Sequence, residues 1–109
     1  MTTLELLDTI AKRPAMYVDP DSIVSIYFFV QGYYLSRCLH EQRTDEEKRF
    51  ADDFYDWLRT THGLDLRPTW GDLLWALVER EAARPIDVFL REVAAFQSPG
   101  DRTRAGVRP

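Results

Sequence analysis

The side chains able to do chemistry are few: two histidines, His40 and His62, one cysteine, Cys38, and a run of carboxylates between Asp45 and Asp56. Metal or nucleophilic chemistry needs such groups in sets: a second histidine one turn away, a cysteine pair, or a nucleophile beside its base. The sequence has none of these spacings. His40 and His62 each fall near the end of an expected helix, where the backbone dipole favours a cation. Cys38 follows Arg37 within an apolar segment, where a buried and inert thiol is expected. The five glycines are scattered singly, so no phosphate-cradling loop is formed. We therefore assign no catalytic residue, metal ligand or cofactor, and expect a role other than catalysis.

The carboxylates allow two readings. Asp45, Asp52, Asp53 and Asp56 share one side of an expected helix, opposite Phe50, Phe54 and Trp57. A paired-carboxylate hydrolase at Asp52 and Asp56 would need a pocket, and a helix face makes none. Arg49 stands four residues from both Asp45 and Asp53, the spacing of solvated ion pairs. The same face can instead dock a basic partner, because complementary charge speeds and selects encounters without a cavity. Trp75, at the edge of its helix's apolar stripe, is the expected exposed anchor for such a partner.

These groups need elements to hold them. The chain has 109 residues, 45% of them apolar, which suits one domain with its own core. Thr2 and Glu5 have capping-box spacing, and Leu4, Leu7, Ile10 and Ala11 form a stripe, so residues 2–12 read as a helix that Pro14 ends. Residues 22–39 are the most apolar stretch, capped by Asp19 (which suits Pro20 at the first position) or by Ser22. Ile23–Val30 has strand-like composition, but eighteen residues without a turn signal is long for a strand. On a wheel only Ser25, Gly32 and Ser36 interrupt the apolar surface, the pattern of a helix in the middle of a bundle. Any of Tyr27, Phe28, Phe29, Tyr33 and Tyr34 left uncovered would form an interaction surface, a second copy of the chain being one occupant.

Thr44 to Glu47 repeats the capping-box spacing and opens a helix with Phe50, Phe54, Trp57, Leu58 and Thr61 inward, closed by Gly63. Thr69 caps the next, which buries Trp70, Leu73, Leu74, Leu77 and Val78. Pro85 begins the last, with Ile86, Phe89, Leu90, Val93 and Phe96 inward. The expected fold is an all-α bundle of about five helices around the apolar helix 22–39, with residues 1–97 as one domain. Residues 98–109 are expected to be a flexible basic tail.

Charge narrows the partners. The net charge is −4, and residues 98–109 hold one acid against three arginines, leaving −6 for residues 1–97. Such a body is a poor match for phosphate backbones, so no nucleic-acid partner is expected. A helix-turn-helix over residues 69–96 would have Arg91 as the one base on Ile86–Phe96, a poor recognition helix. Gln31 and Arg37 interrupt the apolar run, so no membrane span is expected. The unpaired Cys38 and the acidic first ten residues suit a reduced, cytoplasmic protein.

Lys12 to Val18 is similar to the Arg-Pro-Gly-Met-Tyr-Ile-Gly stretch of gyrase-type ATPase domains, but Ala15 and Asp19 replace its glycines and no ATP-site motif follows. A broader match spans most of residues 4–97. Leu6-Leu7 with Ile10, Arg13-Pro14 with Met16-Tyr17, Ser22 leading to Gly32-Tyr33, Phe54 with Trp57-Leu58, and Trp70 together resemble small bacterial immunity-like helical proteins of polymorphic or contact-dependent toxin systems. Asp19 departs from the glycine usual after the Met-Tyr pair. The resemblance implies an immunity protein that binds and neutralises a cognate toxin domain by occluding its site. Its acidic body would suit a basic toxin. The rival expectation is a helical adaptor or homodimer. In either case Arg13, Pro14, Met16 and Tyr17 are read as a structural motif, with Met16 and Tyr17 folding back over the core.

Overall fold

A computed structural model describes residues 1–98; of the expected basic tail, residues 99–109 lie outside the described residues. Five helices form an all-α bundle: α1 (Thr3–Lys12), α2 (Ile23–Leu39), α3 (Asp45–His62), α4 (Trp70–Glu81) and α5 (Pro85–Gln97). The caps explain the boundaries. Thr2, Thr44 and Thr69 each accept from the third backbone N–H of their helix, and Glu5, Glu47 and Asp72 reach back to complete capping boxes. For α2 the cap is Ser22, whose hydroxyl accepts from Ser25 N–H, while the Asp19 carboxylate accepts from Asp21 N–H. Gly63 closes α3 in the left-handed region, as a Cβ-free residue can.

The core gathers the inward faces of all five helices, including Leu73, Leu74 and Leu77 of α4 and Ile86 and Phe89 of α5. Trp70 is its hub. It stacks on Phe89, meets Phe50, Phe54 and Tyr27 edge-on, and donates its indole N–H to the Gln31 side chain at 3.3 Å. Gly71 lets α2 approach α4 closely: a Cβ there would lie 2.9 Å from the Tyr27 ring.

Four expectations need correction, three of them local. On α1 the buried line is Thr3, Leu6, Leu7 and Ile10, whereas Ala11 is exposed, because Thr3 is drawn inward by a carboxylate of α3 described below. On α3, Thr61 is exposed. The segment Arg13, Pro14, Met16 and Tyr17 does end α1, with a single 3-10 turn over Pro14–Met16. However, Met16 and Tyr17 stay exposed, and Val18 is the residue that enters the core. Tyr17 reaches only the partly exposed Phe29 ring, 6.4 Å away.

The largest departure concerns α2. Ile23, Ile26 and Val30 are buried, but Val24, Phe28, Leu35 and Leu39 point out, so the helix is covered on one side and is not enclosed. It packs chiefly against α1, α4 and α5, and Arg37 ties it to Glu47 of α3. No helix among the described residues is long and apolar enough to cross a membrane.

Helix α4 ends on Ala82 with φ 52°, a left-handed conformation that disfavours any Cβ. Ala82→Gly should therefore raise stability by about 0.5–1 kcal/mol, read as a higher denaturation midpoint at constant m-value. A lower midpoint would mean that the Ala82 methyl contributes more than the strain costs.

Candidate functional site

The four carboxylates singled out from the sequence do share the outer side of α3, and all are exposed. Among the described residues, no salt bridge joins Arg49 to Asp45 or Asp53. Its guanidinium turns inward, donating to the Phe96 carbonyl at 3.1 Å and sitting 4.3 Å over the Phe96 ring. Lys48 reaches Asp45 at 3.9 Å, a weak solvated contact. Among the described residues, Asp52, Asp53 and Asp56 form no ion pair. The acidic surface is wider than the sequence pattern indicated. An open cleft of about 390 Å³ between α1, α3 and α5 adds Glu5, Asp8 and Glu46, with Arg49 among its lining.

Trp75 is 46% exposed, as expected of an anchor, but it does not join those carboxylates. It borders a groove of about 400 Å³ between the start of α2 and α4, lined by Asp21, Val24, Gly71 and Asp72 among others. The groove continues along α2 past Tyr27 and Phe28. The anchor and the acids thus belong to two different surfaces.

Two buried carboxylates escaped the sequence reading. Glu47 is fully buried, and its two oxygens accept from Thr3 N–H at 2.8 Å, Thr3 Oγ1 at 2.6 Å, Thr44 N–H at 2.9 Å, and Arg37 Nε and Nη2 at 3.1 and 2.9 Å. Burial pushes its carboxyl up, but the Arg37 guanidinium, then the Thr3 hydroxyl and the two backbone N–H groups outweigh it and bring the pKa to about 2. Glu92, also buried, meets His62 Nε2 at 2.5 Å and Arg91 Nε at 2.9 Å. Arg91 spans from there to Glu81 with two bonds of 2.6 and 2.9 Å. That bidentate contact, above all, raises the Arg91 pKa, and the same contact lowers that of Glu81. Arg80 closes the corner by donating to the His62 carbonyl at 3.2 Å.

A signal for both acids was present. Glu47 lies on the line of Phe50, Phe54 and Leu58, and Glu92 lies beside the line of Phe89, Val93 and Phe96. An acid on an apolar stripe implies a buried partner. The partners could not be read off, since Arg37 and His62 come from other helices.

The remaining reactive groups are tied locally. His40 Nδ1 lies 2.8 Å from the Ser36 carbonyl, in its own last turn. Cys38, half-buried, accepts from Arg43 Nη1 at 3.5 Å, and Arg43 also reaches the Tyr34 hydroxyl. Burial first, and then Cys38, raise the Tyr34 pKa, against the pull of Arg43. These contacts hold the α2–α3 turn.

No family model matches this chain, and neither the curated proteins nor the solved structures contain a match to it.

The sign of the acid response follows from Glu47. Its folded-state pKa of about 2 lies below the ordinary value of 4.5, so its contribution is complete above 4.5 and is lost as pH falls towards 2. The contribution is roughly 3 kcal/mol. Glu47→Gln should destabilise the fold by about 3 kcal/mol or more near neutral pH, leaving Arg37 uncompensated, and should flatten this part of the acid limb. Denaturation of both proteins at a series of pH values checks it; parallel pH profiles would refute the assignment.

Proposed function

We propose that this chain is a non-enzymatic immunity protein that binds a cognate toxin domain on the acidic face of α3 and occludes the toxin's active or substrate site. One observation carries the reading: Asp52, Asp53 and Asp56 project side by side from one helix and form no ion pair among the described residues. A row of like charge on one helix face is costly to assemble and useful when a basic partner completes it. The titratable groups that are buried, Glu47 and Glu92, already hold helices together, and Arg91 is bound to two carboxylates, which removes it as a base for nucleic acid. The resemblance around Arg13-Pro14 and Met16-Tyr17 adds the toxin as the kind of partner, and cytoplasmic protection as the setting. Trp75 sits on a different surface, so this reading rests on the carboxylates.

The test is co-expression with the toxin domain encoded by a neighbouring reading frame, followed by affinity measurement of the purified pair. Charge reversal at two positions, Asp52→Lys with Asp56→Lys, should weaken binding at least about tenfold, chiefly through the association rate, and reduce its salt dependence. Both positions are exposed, so stability should move by no more than about 0.5 kcal/mol. Unchanged affinity and salt response would remove this face from the proposal. Failure of any neighbouring product to bind would remove the immunity role.

A further inference from the structure

Ten large apolar side chains are exposed among the described residues, and five of them, Val24, Phe28, Phe29, Leu35 and Leu39, lie on α2. Scattered exposed apolar residues need no explanation, but a concentration on one helix does. Four of the five form a seam. Residues 24, 28, 35 and 39 are separated by four, seven and four positions, and at 3.6 residues per turn they fall within about 60° of one another. Phe28 is 66% exposed and Leu39 82%, so these side chains stand clear of the bundle.

The spacing reads the same from either end. Its centre lies between Gln31 and Gly32. Two copies of α2 running antiparallel about a two-fold axis at that centre would set Val24 against the partner's Leu39, and Phe28 against the partner's Leu35. An isologous interface demands this self-complementarity, and an arbitrary apolar strip does not supply it.

Gly32 supplies a second observation. Glycine within a helix is destabilising relative to alanine. Nothing among the described residues requires it, since its φ is not positive and no atom beyond its own stretch of helix lies within 4 Å of where a Cβ would stand. At the crossing point of two helices, the missing side chain permits close approach of the backbones. Charge also permits the contact. Arg37 is the one ionisable group of either sign among the acidic and basic residues of α2, and it is bound to Glu47. The half-exposed Trp75 borders the same groove as Val24 and extends the patch at one end.

We infer that the outward face of α2 is a homodimer interface, packed antiparallel about Gly32. The seam and Trp75 together offer on the order of 600 Å² of apolar surface per copy, or about 1,200 Å² for the pair, the lower end for a specific interface. Area of this size permits association without setting its affinity, which micromolar solutions can read.

Sedimentation equilibrium of the full chain over the micromolar range should show a monomer–dimer equilibrium. Phe28→Glu and Leu35→Glu alter side chains already in solvent, so each should leave the helical spectrum intact and give a monomer. Register is tested in a Cys38→Ser background. Chains carrying Val24→Cys, mixed with chains carrying Leu39→Cys, should form a disulfide-linked dimer on oxidation. Either chain alone should not, because its two thiols would lie about 20 Å apart, at opposite ends of the paired helices. A chain monomeric throughout the range, or a dimer that survives both glutamate substitutions, overturns the interface. Cross-linking of Leu39→Cys chains with themselves overturns the antiparallel register.

Discussion

The meeting of α1, α2 and α3 at the Glu47 carboxylate governs what the surface of this protein presents. Glu47 caps α3 through Thr44, takes the first backbone N–H and the hydroxyl of α1 through Thr3, and holds Arg37 of α2. A buried ion pair often contributes little beyond what well-packed apolar side chains would, but its loss is severe and its geometry is specific. Here the specificity has a consequence for exposure. Turning Arg37 inward fixes the rotation of α2, so that Ile23, Ile26 and Val30 face the core and Val24, Phe28, Leu35 and Leu39 face solvent.

The same logic operates at the other end of the bundle. Arg91 and His62 converge on Glu92, so the C-terminal end of α3 is fastened to the middle of α5, and Glu81 brings in the end of α4. Between these two polar ties lies the aromatic cluster around Trp70, whose order depends on helices held at both ends. Basic side chains are used for these tasks: Arg37 binds the buried Glu47, Arg49 the Phe96 carbonyl and Arg91 the buried Glu92.

Much of the fold was legible because it rests on local signals. Thr2, Thr44 and Thr69 announce their helices through caps that form within four residues, and Gly63 marks an end by a conformation other residues resist. The inward faces of α4 and α5 follow from periodicity alone. Three features were not legible, for a shared reason. The half-exposed state of α2, the inward turn of Arg49 and the outward position of Met16 and Tyr17 are all set by neighbours distant in sequence. An all-round apolar helix looks enclosed when the only information is its own sequence; whether four short neighbours can surround it is a question of tertiary area. The candidate site divides in the same way. The exposure of Asp45, Asp52, Asp53 and Asp56 followed from helical spacing, but the separation of Trp75 from them depended on how α4 sits against α2.

That separation bears on how the two proposed surfaces could coexist. The carboxylates lie on the exposed side of α3, and the apolar seam lies on the exposed side of α2. The two faces have opposite chemistries and so suit different occupants: salt weakens contact at a charged surface, while an apolar seam is nearly indifferent to it. Self-association through α2 would not consume the carboxylates, and a two-fold dimer would carry two copies of the acidic face. A partner that is itself multivalent would then gain avidity without any additional contact, provided the spacing of its sites matched. The exposed α2 seam, and the α3 row that forms no ion pair among the described residues, would each be satisfied by one of the two proposed partners. Both become understandable in a protein whose working state is an assembly.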